Sequence, residues 1–492
     1  MSTQDIAAGV PGRRGLGMWL ATALVVGNMI GSGIFLLPSA LAGYGGISIL
    51  GWLFTAAGAM LLALVFAQLG RAFPHTGGPY AYSRRAFGDF IGFLTAWGYW
   101  IAAWVGNAAI AVAFVSYLGY FKAFDALNDN RVLAAAVAIG AVWLLTFVNV
   151  LGVRQGGVMQ LVTTVLKFVP LLALALVGVF FISADNFGGF NTSGHSGFGA
   201  LTAVAALTLW SFIGVESATV PAEDVANPRR TIPRATIIGT AVTALVYILG
   251  TVAVMGILPA ATLADSGAPF ADAADSAFGG WAGPLIAAAA VVSAFGCLNG
   301  WILLQGQVPM AAARDNLFPK VFARTTRSGA PVVGLVVSSV LITALAVFNY
   351  NASLVDQFTF VILLATLTTL IPYVFSAAAQ LLLLITDRAR FEVKRLAGHA
   401  TIAAFALAYA IWTVAGSGYE VVYKGFLLLL LGIPVFLGMK YAAARHGAHL
   451  VAAGVAESVA EHGDELRLPA DLDAALAEVI AVERKKLGQE RE

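Results

Sequence analysis

The sequence predicts an all-α polytopic membrane protein with twelve transmembrane helices. Three observations carry that class: a composition too apolar for water, twelve apolar runs of spanning length, and basic residues confined to alternate loops. Of 492 residues, 59% are hydrophobic and 11% charged, where a soluble chain carries about 25% charge. One anchor helix on a globular domain does not give such figures.

A spanning helix needs about 20 mostly apolar residues. Such runs fall at 17–42, 47–70, 90–121, 132–151, 157–183, 198–221, 235–258, 281–311, 332–350, 355–385, 397–416 and 423–443. The third, eighth and tenth runs are long, which implies tilt or extension into the interface. Residues 1–16 are polar and lack a signal-peptide design, so the first run is expected to stay in the membrane.

Orientation follows from lysine and arginine. With the N-terminus inside, seventeen basic residues fall in the inside segments and only Lys122, Arg131 and Lys424 in the outside loops. Both termini are therefore expected in the cytoplasm, with residues 1–16 as a cytoplasmic segment. The tail, 444–492, leaves the apolar composition. Its Leu472, Leu476, Val479 and Ile480 recur at helical spacing and read as a short amphipathic helix.

The first helix is interrupted. In "GNMIGSGIFLLPSALAGYG", residues 27–45, Gly31 and Gly33 flank Ser32 at half depth, and glycine loosens a helix interior. The sixth helix carries a second interruption, "LWSFIGVESATVP", where Gly214 sits beside Glu216 ahead of Pro221. The two breaks stand about 180 residues apart, and each opens a block of five helices. Pro170 and Pro372 fall in the last helix of each block, a weaker echo of the same repeat.

Because five is odd, helices one to five and six to ten read as inverted repeats, about 17–183 and 198–385, within a transport core of 17–385. Helices eleven and twelve, 386–443, are extra. Discontinuous helices at matching positions in two halves point to a transporter's binding site. Unwinding frees backbone N–H groups at the start of a half-helix, where an anion is favoured. Ser32 adds a hydroxyl, and freed carbonyls suit an ammonium. An α-amino acid carries both groups. A glycine-rich helix crossing without a ligand would account for Gly31 and Gly33, but not for the second break.

Charged and polar residues at membrane depth are the other candidates. Glu216 costs about 3 kcal/mol to insert and so is expected to face a cavity or a partner, unless it reaches solvent near a helix end. Lys167 lies about ten residues into helix five, roughly 15 Å of rise, which favours a site near the first break over snorkelling. Trp210 and Trp301 lie near helix centres instead of interfacial belts; they offer a cation an aromatic face or simply pack. Asn107 needs hydrogen-bond partners, which a neighbouring helix could supply.

A catalytic reading finds little support. The single cysteine, Cys297, lies in an apolar run, and the six histidines show no metal-ligand spacing. No metal, cofactor or nucleic-acid partner is expected, and the chain reads as a transporter, not an enzyme.

Taken together, "GNMIGSGIFLLP", "PHTGGPYAYSRRAFG", "YWIAAWVGN", "LWSFIGVESA", "EDVANPRRTIPRA" and "ARDNLFP" resemble the amino acid–polyamine–organocation superfamily, nearest its basic amino acid/polyamine antiporters of the arginine/agmatine type. The resemblance runs from about 17 to 443. It implies a LeuT-type fold with broken helices 1 and 6, alternating access, a multi-pass place in a bacterial-type inner membrane and a homodimer.

Carried over by position, the resemblance implies that Ser32 and Gly33 hold the substrate carboxylate, beside Gly31. The carbonyls of Met29, Trp210 and Ile213 would hold the α-ammonium. Trp301 would stack on the side chain, with Ala102, Ala103, Asn107 and Ile110 around its distal end. Tyr99, Glu216 and Tyr373 match an outer gating cluster in which Glu216 is proton-sensitive, and Tyr80 matches a cytoplasmic-side tyrosine of the pH response.

There are departures. Ala103 and Ala365 stand where the arginine/agmatine type has a cysteine and a serine, and Ile110 replaces a methionine. Lys167 is absent from that type, but present in relatives where its ammonium resembles a substitute for sodium. The expectation is sodium-independent exchange of cationic amino acids for related amino acids or their decarboxylated amines. A proton-coupled permease for neutral amino acids is the alternative.

Overall fold

The computed structural model describes residues 16–31, 33–74, 77–151, 168–220, 222, 225–442 and 444–445. Ser32, Lys167, the first part of the fifth run and the amphipathic pattern of the tail lie outside the described residues.

Among the described residues, eleven helices are long and apolar enough to span a membrane, from Met18–Ala42 to Tyr419–Ala442. The remaining expected helix is represented by a shorter apolar helix, Phe168–Phe181. The twelve expected spans thus each find a helical counterpart, and they are numbered in that order here. The chain is a multi-pass integral membrane protein.

The long third, eighth and tenth runs form unbroken helices, Asp89–Leu118, Ala282–Arg314 and Leu354–Thr386, of 30, 33 and 33 residues. At 1.5 Å per residue each is roughly 45–50 Å long, well beyond a hydrocarbon core of about 30 Å. Their ends therefore project into the interfaces or the helices tilt. Ser196 and Ser353 cap the sixth and tenth spans, each hydroxyl accepting a backbone N–H from the first turn at 3.1 Å. Pro228 opens the seventh span, Pro228–Ile257, at a position where its missing N–H leaves no bond unmade.

Packing places the third span along both the eighth and the tenth. The second, Ile47–Ala72, and the first lie along the seventh. Lipid-facing positions remain apolar, as at Leu144, Phe147, Val347 and Phe348, while hydroxyls and amides turn inward. Two elements were not expected from sequence. The helix Pro79–Phe87 precedes the third span. The pair Ala260–Asp265 and Pro269–Phe278 sits between the seventh and eighth spans. That pair is tied to the first span: Ser39 donates to the Ser266 carbonyl at 2.8 Å. Tyr117 links the same parts, donating to the Phe35 carbonyl at 2.9 Å and accepting the Phe270 N–H at 3.2 Å.

Residues from Ile433 onward form a separate compact unit. Its described part is helical, and within it the Lys440 ammonium lies 5.5 Å from the Phe436 ring centroid.

Candidate functional site

Both expected breaks are present. The first span is helical over Met18–Met29, leaves helical geometry at Ile30 (ψ 85°), and resumes at Gly33–Ala42. The sixth is α-helical over Gly197–Leu209, tightens into a 3₁₀ turn at Trp210–Phe212, extends at Ile213 and turns at Gly214. Gly214 has φ +108°, which a side chain rarely adopts. A Cβ there would also stand 3.2 Å from the backbone of Asn28. The two breaks therefore touch, and the Asn28 amide donates to the Ser217 hydroxyl at 2.9 Å.

One small cavity lies where they meet. Met29, Gly31, Gly33, Ala102, Ile110, Trp210, Ile213 and Trp301 all line it. Eight of the residues singled out from sequence thus converge, and Asn28, Gly106 and Cys297 complete the wall. Asn107, Ala103 and Ala365 are buried but do not line it. The space open to the centre of a water molecule is about 20 Å³, enough for about one water. This conformation is closed around the site.

Trp210 closes it. A Cβ on Gly33 would meet Trp210 Cδ1 at 3.2 Å, and one on Gly106 would meet Trp210 Cη2 at 2.8 Å. The indole thus lies between two bare stretches of backbone. Its Nε1, the Ser211 hydroxyl and Asn107 Oδ1 are buried without a hydrogen-bond partner among the described residues. Buried polar groups are rarely left so, and these supply two donors and an acceptor around the break.

The three carbonyls expected to face an ammonium differ. Met29 O accepts the Tyr247 hydroxyl at 2.6 Å and the Gly31 N–H at 2.8 Å, which occupies both lone pairs. Trp210 O accepts the Ile213 N–H at 3.1 Å and keeps one lone pair. Ile213 O accepts no hydrogen bond among the described residues. A ligand ammonium would find Ile213 and Trp210 open, and would have to displace a donor at Met29.

Glu216 is completely buried, one turn beyond the sixth-span break. Its two carboxyl oxygens accept the hydroxyls of Tyr99 at 2.6 Å and Tyr373 at 2.7 Å. The third, sixth and tenth spans are thus tied at one point. Reach to solvent near a helix end, the other reading of this carboxylate, does not hold.

Asn107 donates to Gln305 Oε1 at 2.7 Å; Gln305 donates to Ser339 at 3.3 Å, and Ser339 shares a 2.7 Å bond with Thr146. This chain joins the third, eighth, ninth and fourth spans. It meets the helix–helix role expected for Asn107, yet it fixes only the amide nitrogen and leaves the oxygen unpartnered.

Tyr80 lies outside the spans, donating to Asp315 at 3.1 Å, with Arg84 3.8 Å from the same carboxylate oxygen. Burial first, then the charge and hydrogen bond of Asp315, push its pKa up. The phenol therefore stays protonated and acts as a donor.

Comparison with known proteins agrees with this architecture. The sequence model of the amino acid permeases matches residues 16–436. The cadaverine/lysine antiporter of Escherichia coli is 39% identical over 383 residues, covering 77% of this chain and 84% of that protein. The arginine/ornithine antiporter of Pseudomonas aeruginosa is 34% identical over 435 residues, 85% of this chain and 90% of that one. The putrescine transporter of Escherichia coli is 34% identical over 419 residues, 85% and 94%.

Proposed function

The chain belongs to the amino acid permease family, and from that premise we propose a sodium-independent exchanger of cationic amino acids for related amino acids or their decarboxylated amines. Its relatives are named as transporters of lysine, cadaverine, arginine, ornithine and putrescine. One observation carries the reading on this chain's own residues: two broken spans meet at a small cavity walled by Trp210, whose buried indole N–H has no partner among the described residues.

In this account, the carboxylate sits at the first turn of Gly33–Ala42, where N–H groups lack intrahelical partners. The α-ammonium takes the carbonyls of Ile213 and Trp210. The cationic end of the side chain lies against the faces of Trp210 and Trp301, worth about 0.5–2 kcal/mol by cation–π attraction, within reach of Asn107. Trp210 moves aside as substrate enters, because one water's worth of space holds no amino acid. Glu216 with Tyr99 and Tyr373 forms the outer gate and the proton-sensitive element, and Tyr80 with Asp315 fastens the opposite side. Both termini are placed in the cytoplasm of a bacterial cell, and the assembly is a homodimer.

A proton-coupled permease for neutral amino acids is the second reading. It is favoured by one feature: every described side chain lining the cavity is uncharged. Equilibrium binding separates the two. Detergent-purified protein is expected to bind lysine, arginine or ornithine at least about ten-fold more tightly than leucine, a difference of ~1.4 kcal/mol. Tighter binding of leucine would replace the first reading with the second.

A further inference from the structure

A second, wider opening shares no lining residue with the substrate cavity. It is a groove of about 740 Å³ among the ends of the second and seventh spans and the segment joining the tenth to the eleventh. Arg71, Arg229, Arg230, Arg390 and Arg395 line it, against one acid, Glu392. Glu392 is already shared, by Arg71 at 2.5 Å and Arg395 at 3.2 Å. Arg229 and Arg230 are exposed and form no ion pair among the described residues. The Arg390 guanidinium lies 5.2 Å from the Phe73 ring centroid, and that of Arg85 4.7 Å from the same ring. Five guanidiniums held around one groove with a single acid leave a strong positive field at its rim.

The wall below the rim has a different chemistry. Leu64 is seven residues deeper in the second span than Arg71, and Ile237 eight residues deeper in the seventh than Arg229, which places both about 10–12 Å further into the bilayer. Pro233 and Ala67 fill most of the interval; the polar groups there, Gln68 and the His399 carbonyl, are both engaged by the Gln380 amide. A basic rim above a mostly apolar wall matches a molecule with a phosphate at one end and hydrocarbon at the other. A soluble phosphate would use the rim and leave the wall idle.

We propose that this groove is a binding site for an anionic phospholipid, with its phosphate between the arginines of the seventh span and Arg390, and its acyl chains along Leu64 and Ile237. By the positive-inside rule the lipid comes from the cytoplasmic leaflet, which is the one carrying such a surface charge. A lipid seated there bridges the seventh span and the segment between the tenth and eleventh, two parts joined across the groove by few other groups.

Native mass spectrometry on the full-length protein in mild detergent tests the site, using phosphatidylglycerol and phosphatidylcholine with matched chains. Phosphatidylglycerol is expected to be retained at least about ten-fold over phosphatidylcholine. The triple variant Arg229→Gln, Arg230→Gln, Arg390→Gln should lose that preference. A second triple, Arg314→Gln, Arg324→Gln, Arg327→Gln, removes as much charge from the same side outside the groove and should keep it. Circular dichroism checks that both variants fold; if the first does not, Arg230→Gln alone replaces it. Equal retention of the two lipids, or equal losses from both variants, would overturn the proposal. Displacement of phosphatidylglycerol by inorganic phosphate alone would assign the rim to a soluble anion instead.

Discussion

Glu216→Gln is expected to flatten the pH dependence of exchange. The carboxyl accepts two tyrosine hydroxyls at 2.6 and 2.7 Å inside a fully buried site, and when it is ionised such charge-assisted bonds are roughly twice as strong as neutral ones. Protonation removes the charge and weakens the tie between the third, sixth and tenth spans. In the proposed mechanism, wild-type exchange therefore quickens as pH falls. Glutamine is uncharged at every pH, keeps one acceptor, and should hold the rate near the wild-type acidic limit throughout. A pH–rate profile in liposomes reads this directly. A variant profile that rises on acidification as steeply as wild type would remove Glu216 from the proton response. Alanine is a poorer probe, because two buried hydroxyls left unpaired cost about 1–3 kcal/mol each.

Gly33→Leu is expected to lower substrate affinity by at least about ten-fold, ~1.4 kcal/mol, with the protein still folded. The first added atom would already stand 2.9 Å from the Ser211 hydroxyl, 3.1 Å from Ser211 Cα and 3.2 Å from Trp210. The rest of the side chain then fills the space between the two breaks, where the substrate carboxylate is placed. Overpacking of this kind costs about 1–3 kcal/mol, so melting in detergent should fall by only a few degrees. Gly43→Leu is the control, because nothing lies within 4 Å of its added Cβ. Unimpaired binding by Gly33→Leu would place the substrate elsewhere.

Much of this architecture was legible in the sequence because a bilayer leaves few options. Every backbone polar group must be paired within its own helix, so apolar runs of the right length translate directly into spans. The breaks were legible for the complementary reason: glycines around Ser32 and at Gly214 weaken the helix at depths where no turn is needed. Glu216 stood out because a buried carboxylate is costly, and its carboxyl accepts two tyrosine hydroxyls.

What escaped notice depends on contacts between distant stretches. Asn28 meets Ser217 across 189 positions, and no local pattern announces that pair. Tyr247 and Gln305 were missed for a weaker reason. Both are polar groups inside apolar runs, the same signal that singled out Asn107, and applying it evenly along the seventh and eighth spans would have found them. Gly31 also took on a second meaning. A Cβ there would clash with Cys297, so close packing of the first span on the eighth asks for glycine independently of any ligand.

The central claim is exchange, and transport into liposomes tests it most directly. Purified protein is reconstituted with or without internal lysine, and uptake of radiolabelled lysine, arginine, ornithine and leucine is followed in sodium-free buffer. The account predicts rapid uptake of cationic amino acids into preloaded vesicles and about background uptake into empty ones. Leucine uptake into empty vesicles, driven by an inward proton gradient, would contradict it.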